Sequence, residues 1–457
     1  MQAILITLLF VAPDWVVSLT GERRPNAFWA EYIVWPLIQI LIVLFIVLTL
    51  VAYLVYLERK VSAFMQARLG PMRVGPWGLL QPLADGIKLL LKEDIIPSKA
   101  DRAVFIVAPI VSVVAALVVL SVIPWGASWA TIANVNIGLL FILAVSSVGV
   151  LGLVLAGWSS NSKYSLLGAL RSSAQMVSYE IGMGLSIIVA LMFARTLSMS
   201  GIIDAQRADG IWYGLFQPLG LLVYLVSALG ETNRAPFDLP EAESELVAGY
   251  HTEYSGFRWA LFFMAEYSAM IVTTAVAVTV FLGGWMLPGV TGTSLFGWFG
   301  PISNPTLHTF ASIIVFAGKI MLLIYAYMWF RWTWPRYRYD QLMELGWKWM
   351  IPAGLANIVL TGIWYVLALP KSQGGLFGFM HEEKGRLIPA GWKGIGYFII
   401  TGVIFTIPIV WGLLATINRR SRDFNLHEQR QLQMQLRRER LEKMLQEQPR
   451  PAETAGQ

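Results

Sequence analysis

A dense group of acidic residues lies between two apolar stretches near the middle of the chain, and these residues are the best candidates for chemistry. The segment reads Glu231-Thr-Asn-Arg-Ala-Pro-Phe-Asp-Leu-Pro-Glu-Ala-Glu-Ser-Glu245, and its acids are Glu231, Asp238, Glu241, Glu243 and Glu245. Two prolines prevent a continuous helix, so the backbone here is irregular. Glu241 and Glu245 are one helical turn apart, and repulsion at that spacing favours protonation of one of them. A series of such carboxyl groups can conduct protons; an acidic loop in water is the alternative.

Two more acids stand within apolar stretches that are long enough to cross a membrane. Glu180 follows Ser178 and Tyr179, and Glu266 precedes Tyr267. A charge at the centre of a bilayer costs about 2.5–3.5 kcal/mol on insertion scales, so an ionisable residue there is a candidate for function. We interpret both acids as members of a proton relay. The alternative for Glu180 is a structural hydrogen bond with a nearby Ser or Tyr, whereas Glu266 argues against a purely solvated acidic loop.

A charged cluster follows the first apolar stretch, and an amphipathic segment comes directly after it. The cluster is Glu58-Arg59-Lys60 with Arg68, and the later segment carries Asp85. Apolar residues recur at helical spacing in that segment, which is too short to cross a bilayer and predicts an interfacial helix. An apolar helix over a charged vestibule is suited to admit a lipid-soluble ligand from the bilayer. The alternative for the Glu58 triplet is a topology anchor.

Two further polar regions have simpler interpretations. The segment from Trp158 to Arg171 predicts a short loop. A basic cluster later in the chain is formed by Lys319, which stands inside an apolar stretch, and by Arg331, Arg336 and Arg338 after it, with Asp340 beside them. Snorkelling side chains and anchors on the cytoplasmic side are the alternative to a functional role for this cluster.

Membrane-spanning helices have to position these residues. Of 457 residues, 56% are hydrophobic and 14% are charged, against about 25% charged in a typical soluble domain. A helix of about 20 apolar residues crosses the hydrocarbon core. Windows of that length fall at 37–57, 103–123, 137–157, 175–195, 212–230, 257–282, 308–330, 350–369 and 394–416. The sequence therefore predicts an all-α integral membrane protein, a polytopic bundle of about nine transmembrane helices.

The distribution of basic residues predicts the orientation of the bundle. Lysines and arginines concentrate in the segments 58–102, 158–174, 231–258, 331–348 and 417–457. By the positive-inside rule these segments are cytoplasmic, which places the N-terminus outside and the C-terminus in the cytoplasm. We divide the chain into an N-terminal interfacial segment (1–36), the transmembrane bundle (37–416) and a basic cytoplasmic tail (417–457). The residues of the tail predict a charged helix. This helix is either solvated or docked on a neighbouring protein or on lipid head groups.

Composition also excludes several kinds of site. The chain has no cysteine and only four histidines, no two of which have helical metal-ligand spacing. It therefore supplies no thiol nucleophile, disulfide or iron–sulfur ligand, and we expect no metal or haem in this chain. The net charge of +6 follows from the positive-inside pattern, so we expect no nucleic-acid partner. Redox chemistry would have to come from a partner or a diffusible substrate.

Several motifs together resemble one known family. They are Glu58-Arg-Lys, Leu69-Gly-Pro with Val74-Gly-Pro, Leu80-Gln-Pro-Leu-Ala-Asp85, Ala169-Leu-Arg171, Ser178-Tyr-Glu180, the Glu231–Glu245 segment, Phe263-Met-Ala-Glu-Tyr267 and Pro335-Arg-Tyr-Arg-Tyr-Asp340-Gln-Leu. In this order, over roughly residues 37–350, the chain is similar to the membrane quinone-chamber component, the H subunit, of the respiratory NADH:quinone oxidoreductase, complex I. The resemblance implies a membrane-arm protein under the peripheral arm. Such a protein forms much of the quinone chamber and the start of an acidic proton path.

The resemblance also implies roles for single residues. Those matching the quinone chamber are Glu58, Arg59, Arg68, Asp85 and Arg336, and those matching the proton path are Glu180, Glu231, Asp238, Glu241, Glu243, Glu245 and Glu266. Quinone is then the substrate, this chain binds no cofactor, and FMN and iron–sulfur clusters are expected on partner subunits. Expected partners are the peripheral-arm quinone-site subunits, the small and antiporter-like membrane subunits and phospholipid, in a bacterial inner membrane. Residues 1–36 and those after 370 receive no function from the resemblance.

Three alternatives stand beside this interpretation. A related assembly, such as a membrane-bound hydrogenase or a plastid-type complex, shares the fold and the acids but differs in electron donor. A stand-alone secondary transporter would be favoured by inverted repeats, and we find none in the sequence. A passive membrane anchor would not need acids at membrane depth.

Overall fold

The computed structural model describes most of the apolar part of the chain. The described residues are 34–127, 130–238, 248–286, 305–369, 377–378, 380–383, 386–389, 394–404 and 406–412. The predicted interfacial segment before residue 34, the acids Glu241, Glu243 and Glu245, and the predicted tail helix lie outside them. One compact unit extends to Val403, and a second begins at Ile404.

Helices form nearly all of the described structure. In chain order they are α1 (Trp35–Met65), α2 (Gln81–Leu91), α3 (Arg102–Val118), α4 (Gly138–Ser159), α5 (Lys163–Ala194), α6 (Met199–Asp209), α7 (Tyr213–Phe216), α8 (Pro218–Glu231), α9 (Gly256–Phe281), α10 (Pro305–Thr333), α11 (Tyr339–Glu344), α12 (Ile351–Ala368) and α13 (Gly394–Gly412). A π-helical stretch, Leu345–Met350, joins α11 to α12.

Within the described residues, eight helices are long and apolar enough to cross a membrane. They are α1, α3, α4, α5, α9, α10, the continuous α11–α12 pair and α13. Each coincides with one of the predicted apolar windows. Together with the shorter apolar helix α8, they confirm the prediction of a polytopic bundle of about nine helices.

The fifth predicted window, 212–230, is divided between two helices. The backbone leaves the helical region at Gln217, with φ −128° and ψ 62°, because a following proline disfavours helical geometry at the preceding residue. The 14 residues of α8 reach about 21 Å at 1.5 Å per residue, less than the roughly 30 Å of a hydrocarbon core. The predicted window therefore corresponds to α7 and α8 together rather than to one spanning helix.

The segment from Trp158 to Arg171, predicted as a loop, is helical from Lys163 onward. Its buried side, which includes Ser165 and Gly168, is made of small residues. A Cβ added at Gly168 would lie 2.6 Å from the Cα of Gly249, so the glycine allows the backbones of α5 and the 248–255 segment to approach closely. The prediction of a loop was wrong because small and polar residues also occur where a helix packs closely against neighbouring backbone, as they do here.

A short β-hairpin departs from the all-helical pattern of the described residues. Strand β1 (Met380–Glu383) pairs antiparallel with β2 (Arg386–Pro389). The hairpin lies in the connection that the distribution of basic residues places outside.

The core of the bundle is built around α9. This helix contacts α1, α2, α3, α6, α8 and α10, and its residues from Tyr267 to Phe281 are buried almost without a break. Helix α5 packs against α4, α8 and α12. The segment that follows α8 is therefore positioned from one side by α5 and from the other by α9.

Helix α2 confirms the predicted short amphipathic helix. It packs against α1 and α9, while Leu83, Ile87 and Leu90 are exposed in this chain. With only 11 residues it is too short to span the hydrocarbon core.

Candidate functional site

Glu58 is a buried carboxylate held by three different parts of the chain. It lies near the end of α1, where its side chain forms an ion pair with Arg331 of α10 and accepts a hydrogen bond from the Tyr267 hydroxyl of α9. Arg234 is the third neighbour, with its Nη1 atom 3.7 Å from Oε2 of Glu58. A charge is tolerated in a buried position only when it is paired in this way. Glu58, for which the sequence left a topology anchor as the alternative, is thus a tightly paired internal residue.

Arg234 connects Glu58 to a second buried acid. Its Nη2 atom lies 3.6 Å from Oε2 of Glu266, and its guanidinium stacks 4.0 Å from the ring centre of Tyr267. The two ion-pair distances are nearly equal, so Arg234 lies almost evenly between the two carboxylates. Both distances also exceed a hydrogen-bond length. A small displacement of this side chain can therefore favour either acid.

A cavity of about 80 Å³ continues from Glu266 into the bundle. Glu231 and Glu266 both line it, and its other polar lining residues are Ser112, Ser146, Thr232, Asn233, Tyr250 and Thr273. The Tyr250 hydroxyl lies 3.3 Å from Oε1 of Glu266. The space is large enough for several water molecules. Its walls are mostly apolar, and the polar side chains named above are the hydrogen-bond partners that they offer to water.

Tyr254 holds the segment that supplies Tyr250. Its hydroxyl donates to the carbonyl oxygen of Phe105 at 3.2 Å and lies 3.3 Å from the hydroxyl of Ser159. The pKa of Tyr254 is raised to about 12, because burial outweighs the hydrogen bond with Ser159 and the charge of Arg258, which both act to lower it. The hydroxyl therefore stays protonated near neutral pH and remains a hydrogen-bond donor.

Glu180 extends the set of acids beyond Glu231. It lies near the middle of α5, accepts a hydrogen bond from the Ser147 hydroxyl of α4, and is close enough to Glu231 for their charges to interact. Ser147 was not among the predicted site residues, and its neighbour Ser146 lines the cavity. Four predicted acids, Glu58, Glu266, Glu231 and Glu180, thus form one spatial series.

Asp238 stands at the other end of the segment that follows α8. It is buried, and Nη2 of Arg336 lies 3.1 Å from its Oδ2 atom. The adjacent backbone is fixed as well, because the Tyr337 amide donates to the carbonyl of Pro236 at 3.1 Å. Asp238, matched to the proton path, and Arg336, matched to the quinone chamber, are therefore direct partners.

The remaining predicted chamber residues lie around α2. Nη1 of Arg59 lies 2.7 Å from Oδ2 of Asp85, and Nε2 of Gln81 donates to Oδ1 of Asp85 at 2.9 Å. Arg68 is exposed, and its Nε atom donates to Gln66 at 2.7 Å. The structure thus brings Arg59 and Asp85 together and pairs Arg68 with Gln66 instead.

Lys319 belongs to a separate site. Its Nζ atom donates to the carbonyl oxygens of Leu282 at 2.7 Å, Gly284 at 2.8 Å and Met286, all directly after α9. It also lies 4.5 Å from the ring centre of Trp212. Lys319 is therefore a cap for the end of α9 rather than part of the acid series.

Sequence reasoning did not assign a role to Arg234 or Tyr267, and it placed Arg331 only in the basic cluster near Lys319. Arg234, Tyr267 and Arg331 connect the acids of the series. Arg234 stands inside the acidic segment, and an arginine among several nearby acids is a signal that could have identified it. The part of the chain that the structure describes contains no group of three or more His, Cys, Asp or Glu side chains arranged to hold a metal ion.

Comparison with known proteins gives one consistent result. Residues 38–362 match the family described as NADH dehydrogenase. The chain is 48% identical over 351 residues to an H subunit of NADH-quinone oxidoreductase from Geobacter metallireducens, a match that covers 73% of this chain and 96% of that protein. It is 50% identical over 338 residues to the NADH-quinone oxidoreductase H subunit of Rhodospirillum rubrum, with the same two coverages, 73% and 96%. It is also 48% identical over 331 residues to NADH-quinone oxidoreductase subunit 8 of Rhodothermus marinus, covering 72% of this chain and 96% of that protein.

Proposed function

Because the chain belongs to the NADH dehydrogenase family, that of the H subunits of NADH-quinone oxidoreductase, we propose that it couples quinone reduction to proton translocation in such a complex. One part of it contributes to the quinone-binding chamber, and another forms the first section of an acidic proton path. The observation that carries the proposal is the connected series from Glu58 through Arg234 and Glu266 to the cavity, Glu231 and Glu180.

The chamber residues lie at the end of this series that includes α2. Quinone is a lipid-soluble substrate, and α2 carries an exposed apolar side next to the Arg59–Asp85 pair. A quinone that passes α2 from the bilayer reaches polar side chains within one helix width. Glu58 lies one residue from Arg59 and connects this area to the interior.

Electrons reach the quinone from partner subunits, which carry FMN and iron–sulfur clusters in this proposal. Reduction of a quinone to a quinol takes up two electrons and two protons and leaves its net charge unchanged. In this proposal the protons come from side chains of the chamber, so the charge around Glu58 changes until these side chains are protonated again. Arg234 is held between Glu58 and Glu266 at almost equal distances, 3.7 and 3.6 Å. A change of charge at Glu58 shifts the balance of these two ion pairs and so alters the proton affinity of Glu266.

The cavity carries the proton onward. Water between the carboxyl groups of Glu266 and Glu231 supports proton transfer over a distance that a direct hydrogen bond does not span. Glu180 then receives the proton from Glu231. Glu241, Glu243 and Glu245, outside the described residues, and Asp238 complete the acidic path in this proposal.

The surroundings of the chain follow from the same assignment. We place it in a bacterial inner membrane with its N-terminus outside and its C-terminus in the cytoplasm, in contact with phospholipid. Its partners are the peripheral-arm subunits of the quinone site and the small and antiporter-like membrane subunits. The interfacial segment 1–36 and the basic tail 417–457 flank the bundle 37–416, and the tail contacts a partner or lipid head groups.

The proposal is tested by replacing the acids that line the cavity. Glu231→Gln and Glu266→Gln keep the size of the side chain but remove its ability to release a proton. In membrane vesicles with normally assembled complex, we expect each to lower proton translocation coupled to NADH oxidation by at least about tenfold, in the range of general acid–base effects. Glu93→Gln, an exposed acid outside the series, is the control. Normal proton translocation in both cavity variants would contradict the proposed path.

A further inference from the structure

Gln175 makes an unusual pair of hydrogen bonds from the middle of the α5 packing surface. Its side chain is completely buried. The Nε2 atom donates to the carbonyl oxygen of Gly230 at 2.7 Å and to the carbonyl oxygen of Phe237, also at 2.7 Å. Both protons of the amide nitrogen are therefore used on the backbone of a single segment.

These two carbonyl groups adjoin the two acids at the ends of that segment. Gly230 precedes Glu231 in α8, and Phe237 precedes Asp238. The carbonyl of Gly230 is among the last four of its helix, which have no partner within the helix. The amide of Gln175 satisfies it and at the same time fixes its distance from the carbonyl of Phe237.

The neighbouring residue Tyr179 supports the same arrangement. A Cβ added at Gly230 would lie 2.5 Å from the Tyr179 ring, so the ring is in direct contact with the Gly230 backbone. The ring centre of Tyr179 is also 5.5 Å from that of Phe237. Helix α5 therefore holds both ends of the segment, by hydrogen bonds through Gln175 and by packing through Tyr179.

We infer that Gln175 is a positioning residue for proton translocation, which sets the location of Glu231 at the cavity relative to Asp238 at Arg336. The inference rests on the proposed function, because it gives Gln175 a role only if Glu231 and Asp238 act in the proton path. If Gln175 served stability alone, its replacement would lower the amount of folded protein and leave the turnover of each assembled complex unchanged. The two roles therefore differ in a measurable way.

A double-mutant cycle separates these roles in the assembled complex. Gln175→Leu has a similar volume and removes both donors, Glu231→Gln removes the acid, and the third variant combines them. Coupled proton translocation is measured per assembled complex in membrane vesicles. We expect Gln175→Leu alone to lower it about tenfold, since a displacement of about 1 Å at a reacting group costs up to about 100-fold.

The combined variant carries the decisive information. If Gln175 acts through Glu231, the double variant loses clearly less than the product of the two single losses, because the acid that Gln175 positions is already absent. Losses that multiply would overturn the inference and leave the proposed function in place, and so would normal turnover in Gln175→Leu beside impaired turnover in Glu231→Gln. Normal translocation in the single variant Glu231→Gln would overturn the inference, and normal translocation in Glu266→Gln as well would overturn the proposed path.

Two further variants keep the test decisive. Ser172→Ala changes another completely buried residue of α5, one turn before Gln175, and we expect its turnover to be normal. If Gln175→Leu does not assemble, Gln175→Glu replaces it in the same cycle. Glutamate keeps the size and shape of glutamine, but it replaces the amide nitrogen, which donates to the carbonyl oxygens of Gly230 and Phe237, with a carboxyl oxygen.

Discussion

The guanidinium of Arg336 lies 3.1 Å from the carboxylate of Asp238, and the two residues come from segments that are 98 positions apart. Asp238 is buried, while 44% of the Arg336 side chain is exposed. The pair therefore joins a buried acid of the proposed proton path to a surface that a peripheral partner can reach. A charge that approaches Arg336 from that surface therefore also affects Asp238, its ion-pair partner.

Arg336→Gln leaves the Asp238 carboxylate buried with less compensation. A fully buried pair loses about 3–5 kcal/mol of stability when one partner is removed, and because Arg336 is partly exposed, we expect a smaller loss of stability. We also expect NADH-driven quinone reduction to fall about tenfold, since a displacement of about 1 Å at a functional group costs up to about 100-fold. Asp238→Asn in the same chain removes the uncompensated charge and should restore stability but not activity, because Asp238 itself belongs to the proposed proton path. Arg338→Gln, at another exposed arginine, is the control, and equal activity of the two arginine variants would contradict the role of the pair.

Glu58→Gln changes the charge balance around Arg234 and Arg331. Without the carboxylate, Arg234 and Arg331 lose a negatively charged partner, and the Tyr267 hydroxyl loses a charged hydrogen-bond acceptor. Quinone reduction should fall at least about tenfold, because Arg234 and Tyr267 lose the charged group that positions them and a displacement of about 1 Å costs up to about 100-fold. The measurement is quinone reductase activity per assembled complex. Activity as high as in the Glu93→Gln control would show that Glu58 is a structural anchor only.

Arg59 and Asp85 should affect quinone binding more than stability. Their pair is partly exposed, and such pairs contribute about 0–1 kcal/mol to stability. We expect Asp85→Asn and Arg59→Gln to assemble normally and to change the apparent KM for quinone or the sensitivity to quinone-site inhibitors, without a matching change in kcat. Unaltered kinetics with both short- and long-chain quinones would count against access past α2.

Lys319→Met should reduce stability rather than catalysis. The substitution leaves three carbonyl groups after α9 without the ammonium donor, and an unsatisfied buried group costs about 1–3 kcal/mol. We expect a lower temperature of irreversible activity loss in the purified complex, with normal turnover before heating. Lys348→Met, which removes an exposed lysine, is the matched control and should behave like the unmodified complex. Impaired turnover at normal stability would instead place Lys319 on the reaction path.

Gly230→Ala tests the close contact between α8 and α5. The added Cβ would lie 2.5 Å from the Tyr179 ring, and overpacking of this kind costs about 1–3 kcal/mol. We expect less assembled complex in the membrane. Gly184→Ala is the control, because no atom lies within 4 Å of a Cβ added there and alanine is the better helix former. Equal assembly of both variants would show that the ring moves aside freely.

The sequence by itself determined which stretches form apolar helices, the approximate bounds of most of them and the identity of the acids within them. These features are local, because a crossing requires a fixed length of consecutive apolar residues and a charge within it is recognisable without its neighbours. The short amphipathic helix α2 was predictable for the same reason. The family was evident from motifs that are also contiguous in the chain.

The tertiary structure alone decided which acids meet which arginines. Glu58 contacts Tyr267 and Arg331 across 209 and 273 positions of the chain, and no spacing rule connects residues so far apart. Packing of α9 between α1 and α10 brings them together, and the turn after α8 inserts Arg234 between two carboxylates. Gln175 illustrates the same limit, because a glutamine in a helix gives no sign in the sequence that both of its amide protons will bind one distant segment.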